Sequence, residues 1–264
     1  MGTFGRRLLL AVDAKGYGGV DVLTQRQLQE AIQLLLGESA AAAGLARERW
    51  ETQVGGDSVF AVLPEGASEP DLVDTFMRHL DAGLRAFNHG RLPEARLRLR
   101  AAVHFGTASP AANGFEGRAP VEIGRMLDSA VLKSALAAAP DACLALAVSS
   151  TVFNDVIREA YTTIRAQEFR EVRIAEKEYA GRAWIRVPGY DVHALDLGGA
   201  AEAPSVGGAA RSGADGGGAD DGASGGGEVP DVRPPSAPTA PGDTVVQVFP
   251  GTVHAPGAVF GISK

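Results

Sequence analysis

The stretch RLLLAVDAKGYGG at residues 7–19 runs through five consecutive apolar residues, Leu8 to Val12, reaches Asp13, and passes into a glycine-rich loop. A run this apolar and this short reads as a buried strand. Asp13 interrupts it long before it could serve as a signal-peptide core or span a bilayer. Working outward, residues 25–45 carry Leu28, Ile32, Leu35 and Leu36 at helical spacing. Two strand-like segments follow, residues 50–54 and 58–63, around Gly55-Gly56, a pair that supplies the positive φ a tight hairpin turn demands. Ser68-Glu69-Pro70-Asp71 signals a helix start, with the helix running to Asn88 and Gly90 closing it. Residues 97–105 alternate as a strand, 120–138 are helical, and 143–148 form another strand, after which Ser149-Ser150 caps a helix. A last strand pair lies near 169–174 and 183–187 and ends at Pro188-Gly189. The order predicts an α+β fold, a ferredoxin-like βαββαβ palm with a C-terminal α/β extension, followed by a disordered linker.

The composition bounds the rest. At 45% hydrophobic residues, a chain of 264 residues builds a sizeable core. One cysteine, Cys143, excludes a disulfide framework, no zinc-ligand pattern occurs, and a cytoplasmic location is expected. A net charge of −7 without a long basic cluster argues against nucleic acid as a partner, and no segment suggests a membrane span. Three regions are expected: a folded domain over 1–197, a linker over 198–243, and a short β-prone motif over 244–264. The linker is dominated by Gly, Ala, Pro, Ser and Asp and lacks aromatic residues, so it cannot bury enough surface to offset its ordering entropy.

Two aspartates stand out. Asp13 ends the first strand, and Asp57 sits at the hairpin tip after Gly55-Gly56. If the first strand pairs beside that hairpin, both carboxylates meet at one spot, where hard oxygen ligands suit Mg²⁺ or Mn²⁺. The loop Lys15-Gly16-Tyr17-Gly18-Gly19 leaves backbone N–H groups to hold a triphosphate. Taken singly, an aspartate at a strand end is also a common turn or cap residue, and the glycine loop alone is also a plain turn. His104 reads as a packed strand histidine, and Trp50, Phe60 and Trp184 as core or interface residues.

Asp13-Ala14-Lys15-Gly16-Tyr17 resembles the first metal motif of class III adenylate and guanylate cyclases, Asp-Ile-x-Gly-Phe-Thr, and Gly56-Asp57 sits like their hairpin Gly-Asp. Residues 99–106 resemble the strand Arg-x-Gly-Ile-His-x-Gly, and Gly117 through Arg125 falls where those enzymes have Gly-x-x-Val-Asn-x-Ala-x-Arg. Val148-Ser149 with Val152-Phe153 resembles their late strand–helix junction, and Lys177 to Gly181 their terminal Lys-Gly loop.

The resemblance implies a head-to-tail homodimer that converts a nucleoside triphosphate to a 3′,5′-cyclic nucleotide and pyrophosphate. It further implies Mg²⁺ or Mn²⁺ held by Asp13 and Asp57, a transition-state arginine at Arg125 and a phosphate contact at Lys177. Lys15, Gly16, Tyr17 and Gly18 fall in the nucleotide loop, and Gln53 takes the place of the purine-selecting residue, which leaves the base open. Val121 stands where the family has its ribose-orienting asparagine. A silent module that binds nucleotide or only dimerises is therefore the alternative reading, and a pure scaffold the third. Gly55-Gly56-Asp57 is also similar to the diguanylate cyclase signature, but Ser58 and Val59 replace its Glu-Phe, and the regions of His104 and Arg125 favour class III.

Residues 244–264 weakly resemble the Gly-Thr-Val-His-Gly motifs of bacterial amyloid-type signalling tails, through Gly251-Thr252-Val253-His254. Such a segment would recruit a protein partner by edge-to-edge stacking. The alternative is a strand docked on its own domain or a disordered end.

Overall fold

In the computed structural model, residues 5–198 are described, apart from Asn113 and Glu178. Except for Gly198, the expected linker and β-prone motif lie outside the described residues. Strand β1 (Arg6–Ala14) lies inside a seven-stranded sheet of order β2-β3-β1-β4-β7-β9-β8. Its neighbours are β3 (Ser58–Val62) and β4 (Leu99–Thr107), both antiparallel to it, and β2 (Glu51–Gly55) pairs with β3 at the edge. These four strands are the βαββαβ palm. The extension adds β7 (Leu144–Ser149), parallel to β4, and the antiparallel pair β8 (Arg170–Glu176) and β9 (Tyr179–Arg186).

The unbroken apolar run of β1 follows from cover on both faces. Leu8, Leu10 and Val12 pack with α1 (Val22–Ala42) and α3 (Met77–Asn88), while Leu9 and Ala11 pack with α4 (Arg118–Asp128) and α5 (Ala130–Ala138). Helix α1 begins before the first apolar stripe because the Asp21 carboxylate accepts from the N–H groups of Leu23 (2.9 Å) and Thr24 (3.0 Å). Ser68 caps the short α2 (Glu69–Asp71), which continues through a π turn, Leu72–Phe76, into α3. Buried Asp74 in that turn accepts from the Thr163 N–H (2.6 Å) and hydroxyl (2.8 Å). The expected single helix over 120–138 is two helices, since buried Ser129 caps α5. Ser149 caps α6 (Ser150–Val152) as expected.

One element carried no sequence signal: the hairpin of β5 (Ser109–Ala111) and β6 (Gly114–Glu116), between β4 and α4. Phe115 of this hairpin meets Phe60 edge-on at 5.6 Å. Trp50 packs with Phe76, and Trp184 stacks on Phe153 at 4.5 Å, so both tryptophans belong to the core. Helix α4 packs closely on β4 at Gly106. A Cβ there would lie 2.7 Å from His104 Nε2 and 2.8 Å from Ala119 Cβ. Gly106→Ala is therefore expected to cost about 1–3 kcal/mol through overpacking, read by chemical denaturation; wild-type stability in that variant would contradict the close approach.

Candidate functional site

Strand register brings the two aspartates together. Asp13 stands opposite Ser58 of β3, the residue after Asp57, and the Ala14 N–H donates to the Asp57 carbonyl oxygen at 3.1 Å. Asp57 sits on the turn between β2 and β3. The side chains of Asp13, Arg100 and Gln53 share the sheet face that carries α4 and α5, by the two-residue period of their strands.

Arg100 lies directly across from Asp13 on β4, and its Nη2 pairs with Asp13 Oδ2, both side chains being mostly buried. Burial pushes the Asp13 carboxyl above the ordinary carboxylate range, Arg100 pulls it back, and the negative charge of Asp57 adds to the upward push. Arg100 Nε and Nη1 are buried without a hydrogen-bond partner. Arg100 lies in the stretch 99–106 that resembles the Arg-x-Gly-Ile-His-x-Gly strand, and nothing in the sequence pointed to its pairing with Asp13. The one mark it carries there is that of a lone charge in the otherwise apolar run Leu99 to Val103.

The glycine loop follows directly. Gly16 has φ 81°, a conformation that favours glycine, and leads into a single 3₁₀ turn, Tyr17–Gly19, that no side chain caps. The Tyr17 ring lies against Gly56, and its hydroxyl accepts from Gln29 Nε2, which ties the loop to the β2–β3 turn. Lys15 is exposed, with its N–H bonded to the Arg98 carbonyl oxygen at 2.8 Å. Gln53 stands opposite Phe60 and reaches Gly114 of the β5–β6 hairpin, where a Cβ would fall on its side chain.

Arg125 and Lys177 do not join this cluster. Arg125 is half-buried in the last turn of α4, one turn after Val121, whose residue is 54% exposed, and it has no partner among the described residues. Lys177, at φ 53°, forms the β8–β9 turn. Ala183 of β9 pairs with Ser149 at the end of β7, so the β9 residues toward Tyr179 run away from the level of Asp13. His104 is buried as expected, with Nε2 3.1 Å from Glu122 Oε2.

Among the described residues no group of three or more His, Cys, Asp or Glu side chains is placed to hold a metal ion. Asp13 and Asp57, joined through the backbone and within electrostatic range of each other, still fit Mg²⁺ or Mn²⁺, ions that commonly take one or two carboxylates and complete their shell with water and substrate phosphates. The orphaned buried nitrogens of Arg100 fit the same anionic substrate. No helix of the described residues is long and apolar enough to cross a membrane.

The fold is that of nucleotidyl cyclase catalytic domains. The chain superposes on an adenylate/guanylate cyclase/hydrolase from Silicibacter pomeroyi with a TM-score of 0.51 at 16% identity, covering 71% of this chain and 99% of that one. The guanylyl cyclase Cya2 is also similar, with a TM-score of 0.49 at 12% identity, covering 75% of this chain and 99% of that one. The adenylyl cyclase CyaB from P. aeruginosa gives 0.46 at 13% identity, covering 70% and 95%. No family model and no curated protein matches the chain.

Proposed function

We propose that the chain is a metal-dependent nucleotidyl cyclase that acts as a head-to-tail homodimer. The observation that carries this reading is the adjacency of Asp13 and Asp57, joined through the Ala14 N–H to Asp57 carbonyl bond beside an uncapped glycine loop. In this reading Asp13 and Asp57 hold Mg²⁺ or Mn²⁺, which would neutralise phosphate charge and lower the pKa of the ribose 3′-hydroxyl. The loop at Lys15, Gly16, Tyr17 and Gly18 holds the triphosphate, with Tyr17 fixing the loop against the hairpin. Arg100 releases Asp13 and turns its unpartnered nitrogens to the substrate. The 3′-oxygen bonds to the α-phosphorus, the bond from that phosphorus to the bridging oxygen breaks, pyrophosphate leaves with the electron pair, and the hydroxyl proton passes to solvent.

In the same reading Arg125 and Lys177 serve the facing chain's site. Arg125 stabilises the transition-state charge there, a contribution that is usually among the largest in catalysis, and Gln53 contacts the base. A buried, unpaired Cys143 suits a cytoplasmic location. We further propose that residues 244–264, outside the described residues, recruit a protein partner.

A specific observation favours a second reading, a nucleotide-binding module without turnover: exposed Val121 offers no hydrogen bond where the resemblance calls for an asparagine. One experiment separates the two. The full-length protein is incubated with each of the four NTPs and Mn²⁺, and products are read by mass spectrometry. A cyclic nucleotide from at least one NTP is the expected result. Calorimetric NTP binding without any product would establish the silent module instead.

A further inference from the structure

Glu122 stands three residues before Arg125 on α4, a spacing at which two side chains are neighbours on a helix surface and can form an ion pair. They do not pair. Both Glu122 oxygens are held from the other side: Oε2 lies 3.1 Å from His104 Nε2, and Oε1 accepts from the Nε of Arg118, one helical turn earlier. Among the described residues Arg125 is therefore left without a carboxylate.

The hold on Glu122 is anchored in the sheet. His104 is buried on β4 beneath the first turns of α4, where a Cβ on Gly106 would meet both His104 Nε2 and Ala119. Its Nδ1 is sealed from solvent and has no hydrogen-bond partner among the described residues, so the proton of the neutral ring belongs on Nε2, where a carboxylate accepts it. Burial holds this imidazole below its ordinary range, Glu122 pulls it up, and the charges of Arg6 and Arg118 add to the downward push. The Glu122 side chain is itself only 15% exposed, so its charge sits in a fixed place rather than sampling the helix surface.

We propose that His104 and Glu122 are positioning residues for the cyclisation: His104 latches the Glu122 carboxylate away from Arg125, which keeps that guanidinium unneutralised for the facing chain's transition state. The role of the latch rests on the cyclase reading; the latch itself does not.

Two readouts on the full-length protein test this: steady-state kinetics with Mn²⁺ and the preferred NTP, and the ¹H–¹⁵N resonance of the Arg125 Nε–H, assigned by its loss in Arg125→Lys. His104→Leu should lower kcat by about fivefold at unchanged KM, the scale of one partly exposed ion pair formed at Arg125, and should shift the Arg125 resonance. His104→Gln, whose amide N–H can replace the Nε2 donor, should recover most of kcat. Adding Glu122→Gln to His104→Leu should restore both kcat and the resonance, because no charge remains to neutralise Arg125; a merely structural role for His104 would leave the double variant as impaired as the single one. Should His104→Leu fail to fold by circular dichroism, Arg118→Gln decides the matter. That side chain is 84% exposed, and its loss loosens the same carboxylate without touching the core, so kcat should fall and the resonance move in the same direction. An unmoved Arg125 resonance in the deciding variant, or no recovery on adding Glu122→Gln to it, would overturn the latch. The two readings fail separately. A resonance that shifts and is restored as expected, in a protein that forms no cyclic product from any NTP, keeps the latch and retires the cyclase. Cyclic product at the wild-type kcat in the deciding variant retires the positioning role and leaves the cyclase.

Discussion

Asp57→Asn is expected to reduce formation of cyclic nucleotide by roughly 100-fold or more, the scale on which single preorganised electrostatic contacts act in catalysis. Asp57 is half-buried on its turn, and its backbone carbonyl, not its side chain, is bonded to the Ala14 N–H. The substitution therefore keeps the local fold and removes one negative oxygen. That separation makes the variant informative, because lost activity cannot be blamed on a lost strand pairing. Product formation at the wild-type rate, measured by mass spectrometry with Mn²⁺ and the preferred NTP, would remove Asp57 from the chemistry.

Arg100→Gln is expected to destabilise the metal-free protein by about 3 kcal/mol, because breaking a buried ion pair leaves its partner's charge uncompensated. For a domain of this size the loss corresponds to a fall in Tm of roughly 6–12 °C. The sign of its pH dependence follows from Asp13. The folded-state pKa of Asp13 already lies above its ordinary value through burial, so its favourable share of stability is present at low pH and is lost as pH rises through that raised pKa. Removing Arg100 takes away the charge that pulls this pKa down. The deficit is thus largest at neutral pH, where Asp13 is ionised without a partner, and shrinks as the pH falls toward the carboxylate range. Calorimetry in EDTA at pH 7.5 and at pH 5 should show the gap between variant and wild type narrowing on acidification. An equal gap at both pH values would mean that Asp13 does not depend on Arg100. The same argument explains why a cation suits the site: the native chain holds Asp13, Asp57 and, within electrostatic range, Asp128 near one another with one arginine among them.

The palm was legible because its signals are local. Five apolar residues ending at Asp13, a Gly-Gly turn that pairs β2 with β3, and serine caps at Ser68 and Ser149 each act within a few residues. The glycine loop and the two aspartates were legible for the same reason. What escaped was set by distant contacts. Arg100 owes its role to register with Asp13, on a strand far along the chain. The β5–β6 hairpin, with its Pro, Ala and Gly content, has no alternation to announce it and depends on Phe115 meeting Phe60. The break between α4 and α5 turns on Ser129, a residue equally at home inside a helix or capping one. The position of Lys177 is decided by the pairing of β9 with β7, which no spacing in the sequence encodes.

The central claim is that Asp13 and Asp57 together hold a divalent cation against a bound triphosphate. Titration of Mn²⁺ into the full-length protein, with an NTP analogue that cannot be cyclised, followed by electron paramagnetic resonance, addresses it directly. Binding in the wild type that weakens by at least about tenfold in both Asp13→Asn and Asp57→Asn is the predicted result. Mn²⁺ affinity in both variants equal to that of the wild type would contradict the claim.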